Sequence, residues 1–337
     1  ELMGDKARAR EAITQAGLPI IPGSDLVTEV EDSVVLKMAD EIGYPLIIKA
    51  AAGGGGRGMR IVRKPEYLIE TLDMAQSEAA GAFGNASVYL ERYLENPRHV
   101  ECQVLGDEHG EAIHLGEREC SVQRRHQKLI EETPSPLLTE ELREKLGNQV
   151  VTAMKQIGYQ SAGTVEFLFD QEGEFYFIEM NTRVQVEHPV TEMATGVDVV
   201  KEQIRIAAGE KLSRTQEDIV LTGHSIECRI NAENPENFRP SPGTITAYNP
   251  PGGPGIRVDS TAYQDWNVSS HYDSLIAKLI AHGNDRQEAL ERMGRALDFF
   301  IIEGIDTTIP LQQKIIQHPQ FRKGEYGTSF LEQIGIV

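Results

Sequence analysis

Two acidic residues, Glu166 and Glu179, lie on the two predicted strands that flank the four-residue loop 171–174. If this loop closes a hairpin by pairing Asp170 with Phe175, the two glutamates are direct cross-strand partners. The Cβ atoms of such partners lie about 5 Å apart, and like charges there destabilise a sheet unless something compensates them. Mg²⁺ and Mn²⁺ commonly bridge carboxylates to nucleotide phosphates. The pair therefore indicates a metal site, with a solvent-exposed pair as the alternative.

Polar residues continue at every second position after the second glutamate, through Glu179, Asn181, Arg183, Gln185 and Glu187. In extended chain, alternate residues share one face, so this segment would present its polar groups over about 26 Å. Such a row is suited to lining an elongated cleft. A solvated amphipathic strand is the alternative interpretation.

A glycine-rich segment, residues 53–58 with the sequence Gly-Gly-Gly-Gly-Arg-Gly, lies between two predicted strands. Such a backbone can approach phosphates closely and offer its N–H groups to them. It is not a Walker loop, because no Gly-Lys-Ser/Thr follows and no helix begins there. The segment predicts a mobile lid over a nucleotide, with Lys49 placed to reach a phosphate. A plain flexible turn is the alternative.

Residues 123–128, Gln-Arg-Arg-His-Gln-Lys, form a basic run within a chain whose formal net charge is −19. A solvated surface accounts for such a run, but a site that handles phosphate also needs local cations. Taken alone, Arg229, His99 and His126 are equally compatible with structural roles.

Helices and strands alternate along the chain in a way that places these groups. Helices are predicted at 5–16, 30–42, 65–80, 140–157 with Thr139 as N-cap, near 197–208, and at 286–299. Strands are predicted at 44–49, 59–62, 87–93, 99–105, 111–117, 163–170 and 175–180. Residues 224–337 are predicted to form a separate C-terminal subdomain.

Length and composition favour a globular protein of two or three subdomains, with 337 residues, 40% apolar and 25% charged. The negative charge argues against nucleic acid or an anionic membrane as a partner. Three cysteines without a CxxC pair favour a reducing compartment over a disulfide framework. No apolar run reaches the ~18 residues of a membrane span. The first residues lack the pattern of a signal peptide and suggest a chain that begins inside a larger protein.

Five strings, read together, closely resemble biotin carboxylase, the domain found in acetyl-CoA, propionyl-CoA and pyruvate carboxylases, and the resemblance runs from Met3 to the C-terminus. They are Ile-Ile-Lys-Ala followed by Gly-Gly-Gly-Gly-Arg-Gly-Met-Arg, Glu-Arg-Tyr-Leu-Glu-Asn-Pro-Arg-His-Val-Glu, Gln-Arg-Arg-His-Gln-Lys, Phe-Ile-Glu-Met-Asn-Thr-Arg-Val-Gln-Val-Glu-His-Pro-Val-Thr-Glu and Glu-Cys-Arg-Ile-Asn-Ala-Glu.

The resemblance implies an α+β ATP-grasp fold, in which two lobes clamp ATP, and a biotin carboxylase C-terminal subdomain. The corresponding parts are a connecting helix at 1–20, a lid subdomain at 21–93, a central subdomain at 94–222 and the C-terminal subdomain at 223–337. The family's N-terminal Rossmann-like domain of about 100 residues would precede this segment. We therefore expect an ATP site whose matching residues are present, and a biotin site for which that domain supplies part of the wall.

The resemblance also implies ligands for individual residues. The ATP contacts would be Lys6, Lys49, Gly53, Gly54, Gly55, Gly56, Gly58, His99, Gln123, His126, Leu168 and Ile178, with the adenine edge held by Glu91, Arg92, Tyr93 and Leu94. Two Mg²⁺ or Mn²⁺ ions would be bound by Glu166, Glu179 and Asn181. Hydrogencarbonate would be held by Lys128, Arg183, Gln185 and Val186.

By the same resemblance, Glu187 is the general base that deprotonates hydrogencarbonate for attack on the γ-phosphate. A carboxylate is a poor base near neutral pH unless its pKa is raised, so a partly desolvated position is expected. Arg183 would hold carboxyphosphate as it breaks down, and Arg229 would stabilise the biotin enolate.

The leading interpretation is ATP-dependent carboxylation of biotin carried by a carrier protein or domain, with a carboxyltransferase protein or domain and a homodimer as further partners, in the cytoplasm or an organelle matrix. One alternative is a carboxylate–amine ligase of the same fold, against which the strings at 123–128 and 183–187 argue. The other is a nucleotide-binding module that has lost turnover.

Overall fold

The computed structural model describes residues 12–28, 30–52 and 58–336. Lys6 and the glycines Gly53, Gly54, Gly55 and Gly56 lie outside the described residues, as does most of the predicted first helix, of which residues 12–15 are helical. The chain divides into two compact units. One consists of Pro19–Pro97 and Asp170–Tyr176, and the other of Glu1–Leu18, Arg98–Phe169 and Phe177–Val337.

The smaller unit is built on a three-stranded antiparallel sheet. Its strands are β1 Leu46–Ala50, β2 Met59–Val62 and β3 Val88–Arg92, paired in the order β2-β1-β3. Its helices are α1 Asp32–Ile42 and α2 Leu68–Phe83, the latter preceded by a 3₁₀ turn at Pro65–Tyr67. Buried residues on α1 recur at Val35, Ala39 and Ile42, a helical spacing that places one stripe on the sheet. The predicted strand–loop–strand arrangement is confirmed, because Lys49 pairs with Met59.

The larger unit contains an eight-stranded sheet. Its strands are β4 Arg98–Gly106, β5 Ala112–Arg124, β6 Gln127–Thr133, β7 Ser161–Phe169, β8 Phe175–Asn181, β9 His224–Asn231, β12 Ile256–Ser260 and β14 Leu275–Gly283, in the order β12-β14-β9-β6-β5-β4-β7-β8. Two small sheets pair β10 Gly243–Thr244 with β13 Asn267–Val268, and β11 Ala247–Asn249 with β15 Ile301–Glu303. Because β6 pairs with β9, strands from the predicted central and C-terminal subdomains share one sheet. The predicted subdomain boundaries stay a prediction.

The described part of the larger unit contains seven further helices after the helical residues 12–15. They are α3 Glu140–Ile157, α4 His188–Thr195, α5 Val199–Ala207, α6 Arg286–Phe299, α7 Ile309–Gln317, α8 Pro319–Lys323 and α9 Phe330–Gln333, and a 3₁₀ turn lies at Gln216–Asp218. The predicted cap of α3 is confirmed, because Thr139 Oγ1 accepts a hydrogen bond from the Leu142 N–H at 3.3 Å. In the described residues no helix is long and apolar enough to cross a membrane.

The prediction of one extended segment over residues 179–187 is wrong. Strand β8 ends at Asn181, and Glu187 occupies the N-cap position of α4 with φ −82° and ψ 5°. Pro189 lies in the first turn of that helix, where its missing N–H and fixed φ favour helix initiation. The alternating polar residues therefore fold back on themselves instead of running along one edge.

The predicted closure of the β7–β8 hairpin is also wrong by one residue. The Asp170 N–H donates to the Glu174 carbonyl at 2.9 Å, so Asp170 lies opposite Glu174 and not Phe175. Gly173, with φ +87°, supplies the left-handed residue that a three-residue hairpin loop requires.

Two glycines with the same φ of +67° provide a stability test of the β9–β14 contact. A Cβ on Gly223 would lie 2.1 Å from the Gly283 carbonyl oxygen, whereas nothing lies within 4 Å of a Cβ on Gly158. We expect Gly158→Ala to lower the free energy of unfolding by about 1–2 kcal/mol through backbone strain alone. Gly223→Ala should cost clearly more, because the backbone of the sheet must also move. Urea unfolding measures both, and equal losses would contradict the close approach.

Candidate active site

One ammonium group, Lys128 Nζ on β6, lies among three buried carboxylates. It donates one hydrogen bond to Glu101 Oε2. It donates a second, 2.6 Å long, to Glu187 Oε1, and it lies 3.4 Å from Glu166 Oε1. Glu101 and Glu166 are direct cross-strand partners on β4 and β7. Burial would lower the pKa of Lys128, but the surrounding carboxylates raise it well above its ordinary value. The lysine is therefore charged, and its charge offsets the repulsion among the three acids.

Glu166 is held by four side chains that keep its carboxylate ionised. Its Oε2 lies 2.8 Å from His99 Nε2, while its Oε1 accepts hydrogen bonds from Asn181 Nδ2 at 2.7 Å and Gln185 Nε2 at 2.8 Å. Burial raises the pKa of Glu166, but His99 and Lys128 outweigh burial and hold the pKa well below its usual range. A carboxylate that stays ionised is a suitable ligand for a metal cation.

The structure brings together the three predicted metal ligands. Asn181 Nδ2 lies 2.7 Å from Glu166 Oε1 and 3.5 Å from Glu179 Oε1, so one amide group faces both carboxylates. The orientation of an amide is assigned from its partners, and turning it over presents its oxygen instead. Two carboxylates and one amide oxygen form an oxygen donor set that fits a hard dication. His99, Glu101 and Glu166 also offer ligand atoms that lie within 4.8 Å of one another.

A change of buried face along β8 explains how Glu179 reaches this position. Phe175 and Phe177 are buried, but the next buried residue is Met180, so the alternation breaks between them. After the break, Glu179 and Asn181 are alternate residues of β8 and share one face, and Asn181 contacts Glu166.

Glu187, the predicted base, is buried between two cations. It is 2% exposed, and its Oε2 accepts from Arg229 Nη2 at 3.0 Å while Lys128 binds its Oε1. Burial raises the pKa of Glu187, but Lys128, Arg229 and Arg118 outweigh burial and hold the pKa well below its usual range. The expected desolvation is confirmed, and the expected rise in pKa is wrong for this state of the site.

A fully buried arginine, Arg118 on β5, contacts the cluster through Glu101. The sequence did not reveal this residue as part of the site. Its Nε donates to Glu101 Oε1 at 2.5 Å, and its other nitrogens donate to Gln103 Oε1 at 2.7 Å and to Thr191 Oγ1, Thr164 Oγ1 and Gln185 Oε1, each at 3.1 Å. The predicted strand ended at residue 117, so Arg118 lay outside it. Strand β5 instead continues to Arg124, and this length could have been inferred from the apolar residues at 120 and 122.

Other predicted residues of the larger unit lie at varying distances from the cluster. Gln123 Nε2 lies 3.3 Å from His99 Nδ1, and Leu168 is the cross-strand partner of His99. Ile178 precedes Glu179 on β8, and Val186 precedes Glu187. The Val186 carbonyl accepts a hydrogen bond from Lys278 Nζ at 2.9 Å.

Arg183 and His126 are both exposed. Arg183 donates to the Val184 carbonyl at 3.3 Å, and His126 lies in the β5–β6 turn with φ +65°.

The smaller unit holds the remaining predicted contacts that the structure describes. Lys49 on β1 donates to Glu91 Oε2 on β3, so the predicted phosphate ligand and the first residue of the predicted adenine edge are paired. Glu91 and Leu94 are buried, whereas Arg92 is exposed and Tyr93 is partly buried. Gly58, with φ +73°, begins the turn into β2, and a Cβ there would meet the Ala50 Cβ at 2.9 Å.

Comparisons with known proteins identify the class. The family model of the carbamoyl-phosphate synthase L chain ATP binding domain matches residues 5–215, and that of the biotin carboxylase C-terminal domain matches residues 227–333. The chain thus has the ATP-grasp fold, and the predicted α+β class is confirmed.

Individual relatives narrow the class to one family. The chain is 56% identical to a biotin carboxylase of Nostoc sp. over 99% of its own length and 74% of that protein. It is 56% identical to a pyruvate carboxylase subunit of Methanothermobacter thermautotrophicus over 99% of its own length and 68% of that protein.

A solved structure supports the same family assignment. The biotin carboxylase domain dimer of Hydrogenobacter thermophilus 2-oxoglutarate carboxylase, in complex with MgADP, ADP and hydrogencarbonate, superposes with a TM-score of 0.92 at 55% identity, covering 98% of this chain and 73% of that one. The chain belongs to the biotin carboxylase family, and it is an ATP-dependent ligase that carboxylates biotin.

Replacing Arg118 tests whether it supports the buried acids. Arg118→Met removes the forked donor from Glu101 and leaves four polar groups with fewer partners, so the free energy of unfolding should fall by about 3 kcal/mol or more. Arg205→Met is the control, because Arg205 makes only partly exposed ion pairs with Glu202 and Glu210 at 3.2 and 3.6 Å. The control should change stability by less than about 0.5 kcal/mol. Similar losses in the two variants, measured by urea unfolding, would contradict the assignment.

Proposed function

We propose that the cluster around Lys128 carries out the carboxylation of biotin by hydrogencarbonate and ATP, through carboxyphosphate, as the first half-reaction of a biotin-dependent carboxylase. The observation that carries this proposal is the placement of Glu187, a buried carboxylate held between Lys128 and Arg229. A base and two cations then surround one position, as the deprotonation of an anionic acid requires.

Hydrogencarbonate is a weak nucleophile that must lose its proton before it attacks a phosphate. Lys128 supplies a positive charge for the anion, and Gln185, fixed by Arg118 and Glu166, supplies an oriented amide. When the anion binds beside Glu187, it competes for the same cations, and its negative charge raises the pKa of the glutamate. The base thus gains proton affinity when its substrate arrives.

Glu166, Glu179 and Asn181 would hold Mg²⁺ or Mn²⁺, which neutralises phosphate charge during phosphoryl transfer. His99 contacts both Gln123 and Glu166, and His99 and Gln123 would bind the phosphates of the nucleotide. Lys49 and Glu91 are proposed as further nucleotide contacts.

Attack of the deprotonated hydrogencarbonate on the γ-phosphate of ATP would break its bond to the β-phosphate oxygen and release ADP, which leaves carboxyphosphate. Carboxyphosphate then breaks into CO₂ and phosphate, and phosphate takes the N1′ proton of biotin. The nitrogen attacks CO₂ and forms the new C–N bond. Arg229 is proposed to stabilise the enolate form of biotin, because Glu131 and Glu187 fix its guanidinium at the same cluster. Arg183 is proposed to hold carboxyphosphate.

We also propose a biotin carboxyl carrier protein or domain and a carboxyltransferase as partners, a homodimer, and a cytoplasmic or organellar location. The name of the Methanothermobacter relative, which makes it one component of a larger carboxylase, and the dimeric Hydrogenobacter domain support the assembly. The net charge of −19 argues against nucleic acid.

The test is an assay of the purified chain with MgATP, hydrogencarbonate and free biotin. Carboxybiotin and biotin-stimulated phosphate release are expected. If neither product forms, the chain is a nucleotide-binding module that has lost turnover. Phosphate release that requires an amine in place of hydrogencarbonate would indicate a carboxylate–amine ligase.

Glu187→Gln tests the role of the base in the same assay. The variant keeps the shape of the side chain but cannot accept a proton, so turnover should fall by at least about 10²-fold. ATP affinity, measured by calorimetry, should be preserved. Glu141→Gln, on the exposed face of α3, is the control and should retain turnover. A Glu187→Gln enzyme with normal turnover would overturn the assignment.

A further inference from the structure

Two buried glutamates that the proposed chemistry leaves aside, Glu131 and Glu227, face each other across the sheet. They are direct cross-strand partners on β6 and β9, and both side chains are fully buried. Partners in such a position have Cβ atoms about 5 Å apart, within reach of a carboxyl–carboxyl hydrogen bond. If both were ionised, the pair would repel in a low-dielectric interior.

Hydrogen bonding around the pair is incomplete. Glu131 Oε1 accepts from Arg229 Nε at 2.6 Å. Glu131 Oε2 and both oxygens of Glu227 have no hydrogen-bond partner among the residues that the structure describes. A buried carboxylate without a donor costs several kcal/mol, and in practice such a group takes up a proton. One proton on Glu227 would donate to Glu131 Oε2 and satisfy an atom on each residue.

The cations near the pair already bind other groups, so they do not supply the positive charge that two ionised carboxylates would need. Arg229 is shared between Glu131 and Glu187, and Lys278, the cross-strand partner of Arg229, is engaged by Asp259 at 3.6 Å and by the Val186 carbonyl. The groups that face the pair or its cations are Lys128 on β6, Cys120 on β5, Cys228 and Arg229 on β9, Lys278 on β14, and Glu187 and His188 at the start of α4.

We propose that Glu131 and Glu227 hold one proton between them, and that this pair positions Arg229 against Glu187. Glu227 carries the proton, because Glu131 is the member that contacts a cation. Burial and then the adjacent Glu131 raise the pKa of Glu227 well above its ordinary value, in agreement with this division. Burial likewise raises the pKa of Glu131, to about 7, although Arg229 opposes the rise.

The functional part of this inference rests on the proposed role of Arg229. With Glu227 neutral, the guanidinium is shared by Glu131 and Glu187 alone. An ionised Glu227 would be a third anion competing for the guanidinium of Arg229 and would draw it along β9, away from Glu187. The proton therefore preserves both the orientation of Arg229 and the positive charge that it offers to the biotin enolate. Glu131 and Glu227 are positioning residues and contact no substrate.

The first test is the pH dependence of stability in Glu227→Gln. In the wild type the unfolded chain releases the Glu227 proton near pH 4.3, but the folded chain retains it, so stability falls as pH rises above that value. The neutral glutamine removes this loss. We expect the Tm of Glu227→Gln minus that of the wild type to increase between pH 5 and pH 8 by about 2 °C or more. A difference that is the same at both pH values would overturn the proposal.

Asp107→Asn is the control, because Asp107 is also buried but both of its carboxylate oxygens have donors. Its Oδ1 accepts from the His109 and Glu111 N–H groups at 2.9 and 3.0 Å, and its Oδ2 accepts from the Leu212 N–H at 3.0 Å. Burial raises the pKa of Asp107, but these backbone donors outweigh burial and lower it, so its contribution to stability is complete above about pH 4. The stability loss of Asp107→Asn should therefore stay constant from pH 5 to pH 8. A parallel pH trend in the two variants would overturn the assignment to Glu227.

The second test observes the proton directly. In infrared spectra of the wild type at pH 7, a protonated carboxylic acid gives a C=O stretch that shifts in D₂O. This band should be missing from Glu227→Gln. A band of unchanged intensity in the variant would contradict the proposal, whether or not the protein has activity.

The third test addresses positioning. Glu131→Gln should lower biotin-dependent kcat/KM by about tenfold or more relative to Glu227→Gln, because only the first removes the anion that orients Arg229. The KM for ATP should be the same in both variants. Equal losses, or a loss that appears in the KM for ATP, would indicate a general structural effect and overturn the positioning role. A chain without biotin turnover would defeat the proposed function alone, since the first two tests do not require activity.

Discussion

Three buried carboxylates around one ammonium group form the constraint on which the site depends. Glu101, Glu166 and Glu187 come from β4, β7 and the start of α4, and Lys128 from β6 binds or approaches each of them. Removing three carboxylates from water is tolerated only when cations and hydrogen bonds replace the lost solvation. The same arrangement keeps both Glu166 and Glu187 ionised, and the proposed roles of metal ligand and base each start from an ionised carboxylate.

The antiparallel sheet makes this balance possible because alternate residues share a face. His99, Glu101 and Gln103 follow one another on one side of β4, and their partners on β5 and β7 include the buried Arg118 and Glu166. Arg229 on β9 extends the charged face across β6. The candidate site is thus distributed over six adjacent strands, from β9 through β6, β5, β4 and β7 to β8, and the apolar residues of the opposite face pack on the helices.

Local sequence signals predicted the elements that depend on short-range physics. The cap at Thr139, the bounds of α6 and the β1–β2 pair agree with the structure, since capping and helical periodicity act within one turn. Glu166 and Glu179 were correctly placed near each other, although the predicted closure of the hairpin was wrong by one residue. Arg118 and Glu101 could not be assigned because their roles arise from partners up to 73 residues away. The pKa of Glu187 was predicted in the wrong direction, because sequence gives burial more readily than it gives the cations that approach a buried group.

The pH dependence of stability in Lys128→Met tests the central charge balance most directly. Without the ammonium group the pKa values of Glu166 and Glu187 rise, and protons can replace the lost charge at low pH. The variant's deficit in unfolding free energy relative to the wild type should therefore be larger at pH 8 than at pH 4. A deficit of the same size at both pH values would show that Lys128 does not hold these carboxylates in their ionised state.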